Sequence, residues 1–397
     1  MNPRDLKRLR ARLERIQPEP SPLRHRLQDL EHRQQRRVLF QLPLSFGGQW
    51  LRRGVLLYLR HEEPYPVPRV EALPVLTQGE VVRPLIPQET VFLDIETTGN
   101  GGAGVLPFLI GLGFWDRGTW VTEQFLLVDP GQEPLLLDWV SRRLRGYTTV
   151  VTYNGKAFDL PILLDRFRFH RLPPPDLPTH IDLLHMVRRV MASPSGYRLT
   201  EIERWFLGWI READLPSQWV PRAYFQFLRG QGTTLLRLAV LHHREDIRVL
   251  PRLLVQLDRW VRKPLDRHSA ADTYKIARLY FRMRDLDRAR EFLEAGLLRA
   301  QGVTRHRLLK LKAMLHKRQK EWDHALHCWH ELLREAPEDP EPAVELSKYY
   351  EHRIRDPYRA LLYAWKLPQD REETRRRIQR LYRKIQKESP SGFPGLK

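Results

Sequence analysis

Cysteine is almost absent from this chain. The single one, Cys328, excludes a disulfide framework and any zinc site built on thiolates. No apolar run approaches the ~18 residues of a membrane span, and the N-terminal MNPRDLKRLRARLERI is charged rather than a secretion signal. These absences lead to the expectation of a soluble cytoplasmic protein without membrane association. Acids are outnumbered, 48 Asp and Glu against 68 Lys and Arg, for a formal net charge of +20. That balance, with a sequence pI of about 10.3, predicts an anionic partner, and nucleic acid is the first candidate. Asparagine is scarcer still, with three in the whole chain, and one of them stands at a strand end.

With 397 residues the chain has room for two or three domains. Residues 1–85 read as a basic N-terminal region: an Arg-rich helix from Asp5 to Ile16, a Pro-rich break, and strand-like pieces such as Gly54–Arg60. From 86 to 262 strand and helix signals alternate. Strands are expected at Val91–Ile95, Phe108–Trp115, Trp120–Val128, Thr148–Tyr153 and Thr179–Ile181, with a turn at Asp116-Arg117-Gly118. Helices are expected at Leu135–Leu144 and Phe158–Phe169, and a long one from Thr234 to Trp260. The pattern gives an α/β class, a mixed five-stranded sheet flanked by helices. Residues 268–397 repeat: Ala277 and Ala289 recur as Ala313 and Ala325, 36 residues later, and Ala360 follows. Small residues at fixed places in helical pairs resemble a degenerate tetratricopeptide array, which implies a protein partner for this all-α section. The tail from Arg371 to Lys387 reads as a basic helix.

The chemistry lies in the acids. In VFLDIETTG, Asp94 and Glu96 stand at i and i+2 on a strand, so both carboxylates project from one face. A divalent cation relieves the repulsion of such a pair, and hard Mg²⁺ or Mn²⁺ suits the oxygen ligands. An isolated Asp-x-Glu is usually a solvated turn, so the rest of the set decides. Asp159 opens a helix directly after Asn154-Gly155, where the helix dipole favours an acid. His242 and Asp246 stand at i and i+4 on the late helix, which puts them on one face. Asp246 is then a fourth carboxylate, and His242 a general base, because an imidazole titrates near working pH. Asp182 has no evident metal role and reads as packing or capping; Trp205, Phe206 and Trp209 read as core.

Asp94-x-Glu96, YNGKxFD at Tyr153–Asp159, the DLLH segment Asp182–His185 and Asp246 on a late helix together resemble the DEDD exonucleases of the ribonuclease H-like superfamily. The resemblance is nearest to its YprB-type branch and covers about residues 91–250. It implies a ribonuclease H-like fold and two divalent ions, Mg²⁺ or Mn²⁺, held by Asp94, Glu96, Asp159 and Asp246. It also implies hydrolysis of DNA or RNA phosphodiesters from a 3′ end, on single strands. Two ions about 3.5–4 Å apart clamp the attacking and leaving oxygens of an in-line displacement. Thr97, Thr98 and Gly99 are expected to let the backbone approach the terminal nucleotide, with Asn154 and Lys156 as further substrate contacts. One feature departs from the family. The histidine subgroup spaces its base as His-x4-Asp, which falls on Leu241, whereas this chain has His-x3-Asp, and His243 stands where the YprB branch carries Asn. The base is therefore His242 or His243, with His242 preferred. The competing reading is a nucleic-acid-binding adaptor with an inactive or weakly active nuclease fold.

Overall fold

Apolar runs buried on both faces build the centre of the sheet, and the strand Leu56–Glu63, near its edge, alternates more buried with more exposed residues. The strands are β1 (Gln49–Arg52), β2 (Leu56–Glu63), β3 (Thr90–Thr97), β4 (Pro107–Asp116), β5 (Thr119–Leu127), β6 (Thr149–Thr152) and β7 (Thr179–Asp182). The computed structural model describes residues 42–81, 83–99, 104–192, 196–211 and 214–388; the expected helix at Asp5–Ile16 lies outside them. The sheet order is β1-β2-β5-β4-β3-β6-β7. Strands β1 to β5 pair antiparallel, whereas β3, β6 and β7 run parallel, so the sheet is mixed as expected.

The strand count is corrected from five to seven among the described residues. The two additions come from the stretch read as a separate N-terminal region. Strand β2, LLYLRHEE, pairs along its full length with β5, from Leu56 opposite Leu127 to Glu63 opposite Trp120. Local pattern marked part of this strand, but its partner lies far along the chain, where periodicity carries no information. The hairpin turn between β4 and β5 is as expected: Arg117 and Gly118 both have positive φ, the backbone of a tight two-residue turn.

The described chain divides into two compact units. The first takes residues up to 68, 86–183 and 203–253; the second takes 69–85, 184–202 and 254 onward. In the first unit, Val91, Leu93, Ile95, Ile110 and Leu112 pack with helices α1 (Glu133–Leu144) and α2 (Asp159–Phe169). A second apolar cluster joins Leu57, Leu109 and Leu126 to α3 (Val220–Leu228) and the start of α4 (Thr234–Arg262). Its members on α4, Leu236, Ala239 and Val240, begin a buried stripe that runs on through His243, Ile247 and Leu250 at three- to four-residue intervals.

The second unit is helical, with α5 (Ala270–Arg282), α6 (Leu286–Leu297), α7 (Gly302–Arg318), α8 (Trp322–Glu335), α9 (Pro340–Tyr349), α10 (Pro357–Ala364) and α11 (Glu372–Glu388). Aspartate side chains cap three of these starts: Asp285, Asp339 and Asp356 each accept a main-chain N–H from the first turn. The repeated alanines 277, 289, 313, 325 and 360 are all buried, as close helix approach requires. In the third pair the small residue of the first helix is Ser347, whose hydroxyl donates to the Ala360 carbonyl at 2.9 Å. Cys328 is buried beside Ala325 and Trp329, where burial pushes its thiol up to about 11. Among the described residues no helix is long and apolar enough to cross a membrane.

Candidate active site

The pairing of β3 with β6 stops at Phe92 opposite Val151, so the end of β3 has no parallel neighbour. Asp159, the first residue of α2, fills that gap: its Oδ1 accepts the Ile95 N–H at 3.0 Å. Asp94 and Glu96 flank Ile95 on the opposite face of β3, at the carboxyl edge where sites form in open α/β sheets. The turn that delivers Asp159 is fixed from β7. Asp182 accepts the main-chain N–H of Asn154 at 2.9 Å and of Lys156 at 3.0 Å. Asn154 stands at a φ of 68°, a left-handed conformation that asparagine tolerates.

Helix α4 lays both histidines over β3, in different roles. His243 is fully buried; its Nε2 lies 3.1 Å from the Asp94 carbonyl oxygen and 3.6 Å from Asp94 Oδ2. The Gln124 amide donates to Nδ1 at 2.8 Å and to the Val240 carbonyl at 2.9 Å, which puts the ring hydrogen on Nε2. Burial pushes His243 down to about 4, partly opposed by the Asp94 carbonyl, so the ring is neutral. The approach depends on glycine: Gly111 lies directly across from Asp94, and a Cβ there would sit 2.4 Å from His243 Cε1 and 2.0 Å from Ile247 Cδ1.

His242 faces the acids instead. Its Nε2 lies 3.2 Å from Asp246 Oδ2 and 4.0 Å from Glu96 Oε1, and its Nδ1 is bound by Asp214. Arg211 completes this side of the site. Its guanidinium donates to Glu203 at 2.8 and 2.5 Å and to Asp246, and lies 3.3 Å from Asp214. Burial works against the Arg211 charge, but the hydrogen bond to Glu203 and the charges of Asp246 and Glu203 outweigh it and hold its proton more firmly.

The acids are short of positive charge. Asp94 is held well above the usual carboxylate range by burial, then by Asp159, Asp246 and Glu96. Glu96 is raised in the same way by burial, then by Asp246 and Asp159. Asp159 is raised by burial to about 7, even though the Ile95 N–H favours its charged form. Hard oxygen donors that repel one another, one buried and three partly exposed, fit a divalent cation. One ligand atom each from Glu96, His242 and Asp246 lies within 4.8 Å of the others, close enough to share an ion.

The structure thus gathers Asp94, Glu96, Asp159, Asp246 and His242. The expected substrate contacts lie beside them with their own local work. Thr97 donates to the Gly99 carbonyl at 2.6 Å, and the Thr98 hydroxyl accepts the Leu106 N–H at 3.0 Å, so both shape the turn after β3. Asn154 and Lys156 are exposed on the turn before α2. Of the aromatic trio, Phe206 is buried as expected, whereas Trp205 is 39% exposed, because residues Glu203–Leu207 form a π-helical turn rather than a continuous α-helix. Sequence reading missed Arg211, Glu203, Asp214 and Gln124. The available signal was charge of both signs, Glu203, Arg211 and Asp214 among it, around the aromatic residues Trp205, Phe206 and Trp209.

Comparison with known proteins agrees with this geometry. A sequence model of the RNase_H superfamily matches residues 91–258. The uncharacterized protein YprB of Bacillus subtilis (strain 168) is 33% identical over 285 residues, covering 69% of this chain and 67% of that protein. A ribonuclease H-like domain is a nuclease fold, and its substrates are nucleic acids. On the matched domain, the relative and the site carried at the end of β3, the chain belongs to the ribonuclease H superfamily, in the family of YprB.

Proposed function

We propose that the chain is a metal-dependent nuclease that hydrolyses phosphodiester bonds of DNA or RNA, working from 3′ ends. The observation that carries this reading is the convergence of Asp94, Glu96, Asp159 and Asp246 around a histidine whose far nitrogen is held by a carboxylate. Asp94, Glu96, Asp159 and Asp246 would hold two Mg²⁺ or Mn²⁺ ions, which when bound stabilise charge on the phosphodiester oxygens and acidify the attacking water. Asp214 at Nδ1 fixes the ring and tautomer of His242, leaving Nε2 as the atom that takes up the proton of the attacking water. His243 anchors the Asp94 main chain and takes no proton in the reaction. Arg211 binds Asp246 through Oδ1 and leaves Oδ2 toward His242 and Glu96. Asn154 and Lys156, exposed before α2, meet the substrate backbone. The helical pairs of the second unit are of the tetratricopeptide kind.

One observation favours the adaptor reading: Arg211 already neutralises part of Asp246 without any added ion. A single experiment separates the two. Strands labelled at the 5′ or the 3′ end are incubated with Mg²⁺ or Mn²⁺ and either wild type or Asp94→Ala. The nuclease reading expects ion-dependent shortening from the 3′ end, lost in the variant. No degradation of DNA or RNA with either ion rejects it, and undiminished activity in Asp94→Ala rejects the assigned site.

A further inference from the structure

The last helices carry a surface that the acidic site does not use. On α10 the buried side is Pro357, Ala360, Leu361 and Ala364. The opposite side exposes Tyr358, Leu362 and Trp365, at i, i+4 and i+7, with exposures of 40%, 57% and 48%. Ile354, 48% exposed, ends the π-helical turn that precedes α10. Exposed cations accompany it: Arg355, Arg359 and Lys366. Among the described residues these three make one ion pair, Arg359 with Asp356 at 3.3 Å.

A cavity of about 410 Å³ opens at one end of this line, lined by His352, Arg355, Lys384 and Lys387 with Glu351 and Pro357. Its one acid is already taken: Glu351 is buried and accepts from Arg380 and Lys384 at 2.7 to 2.8 Å. The cavity therefore offers surplus positive charge. Accessible aromatic rings interleaved with guanidinium and ammonium groups match one ligand chemistry above others. Bases stack on the rings, and phosphates meet the cations. The net charge of +20 acts in the same direction.

We propose that the exposed face of α10 and the adjoining cavity form a docking track for single-stranded nucleic acid, separate from the acidic site. The proposal rests on the reading of the protein as one that acts on nucleic acid. The track holds a strand through stacking on Trp365 and Tyr358 and through phosphate contacts to Arg355 and Lys387.

Fluorescence anisotropy of the full chain with a labelled single strand of about 20 nucleotides, in EDTA, reads binding without cleavage. Trp365→Ala is expected to weaken binding by about tenfold. Trp365→Phe restores most of it, which separates stacking from any loss of fold. Arg355→Gln together with Lys387→Gln is expected to lower the slope of log affinity against log salt by about 1.4, at about 0.7 per lost contact. Unchanged affinity and slope in these variants overturn the proposal, as does failure of the wild-type chain to bind any single strand in EDTA. Binding of an acidic amphipathic peptide that Trp365→Ala abolishes, with oligonucleotide affinity unaltered, assigns the face to a protein and also overturns it. The nuclease reading fails on a different result, the absence of ion-dependent cleavage.

Discussion

His243 reaches over Gly111 to donate from Nε2 to the main-chain oxygen of Asp94, at 3.1 Å. The strand that carries the first acid of the cluster is thus anchored by a ring that fits only because the facing position has no side chain. Gly111→Ala should force His243 and Ile247 aside and destabilise the protein by about 1–3 kcal/mol, the usual cost of overpacking a core. Urea denaturation checks this, and an unchanged midpoint would refute the close approach.

The two histidines should separate experimentally. Under the nuclease reading His242→Ala removes the base, so hydrolysis should fall by about 10²- to 10⁴-fold, more than any loss of folded protein accounts for. His243→Ala leaves the Gln124 amide and the Asp94 carbonyl without their ring partner, and should cost about 1–3 kcal/mol of stability. The opposite pattern, a stability loss at 242 and a purely kinetic loss at 243, would exchange the roles.

Arg211 and Glu203 are both nearly inaccessible, with side-chain exposures of 5% and 2%. Arg211→Met strands the Glu203 charge and should destabilise the fold by about 3–5 kcal/mol. Adding Glu203→Gln should recover a large part of that loss. Chemical denaturation of the single and double variants decides it, since simple additivity would mean that the two groups do not interact.

The charged form of Asp94 opposes folding when no ion is bound. Its carboxyl is raised by burial and by neighbouring acids, so its contribution is fully favourable only below the usual carboxylate range and is lost as pH rises. At neutral pH in EDTA, Asp94→Asn should melt higher than wild type. Mn²⁺ at 100 times its dissociation constant should stabilise the wild type by about 2.7 kcal/mol and leave the variant nearly unmoved. A wild type indifferent to Mn²⁺ would remove the ion from the site.

His268, in the helical unit, supplies a separate pH dependence. The Leu265 N–H donates to its Nδ1 at 2.7 Å and its Nε2 donates to the Trp260 carbonyl at 3.0 Å; burial pushes it down to about 4. A depressed histidine stabilises fully above its ordinary value near 6.5, and that stability is lost as pH falls toward 4. The loss is about 3 kcal/mol at most. The unfolding midpoint of wild type should therefore drop more steeply between pH 6.5 and 4 than that of His268→Gln. Parallel profiles would contradict the assignment.

Much of the acidic cluster could be read from the chain because each acid sits at a local punctuation mark: a strand end, an Asn-Gly turn, a helix face. The choice between His242 and His243 was also present in the sequence. His243 falls in phase with Leu236, Val240, Ile247 and Leu250, a core position, whereas His242 shares its face with Asp246. Arg211 could not be placed, because Asp246 lies 35 residues away on α4 and Glu203 opens a π-helical turn that no α or β period describes. The strand-like pattern at Gly54–Arg60 was visible, but its place in the sheet was not, because the pairing of β2 with β5 is set by distant chain.

Arg211 has a consequence for how the protein meets its surroundings. A zinc finger needs its ion to fold, because nothing else balances the ligands. Here a resident guanidinium offsets part of the charge of Glu203 and Asp246 beforehand, so the domain can fold before any ion arrives. Under the nuclease reading, ion supply then acts as a switch on turnover in a protein that is already folded. A cooperative unfolding transition in EDTA is the signature of that arrangement, and its absence would make the ion a folding requirement.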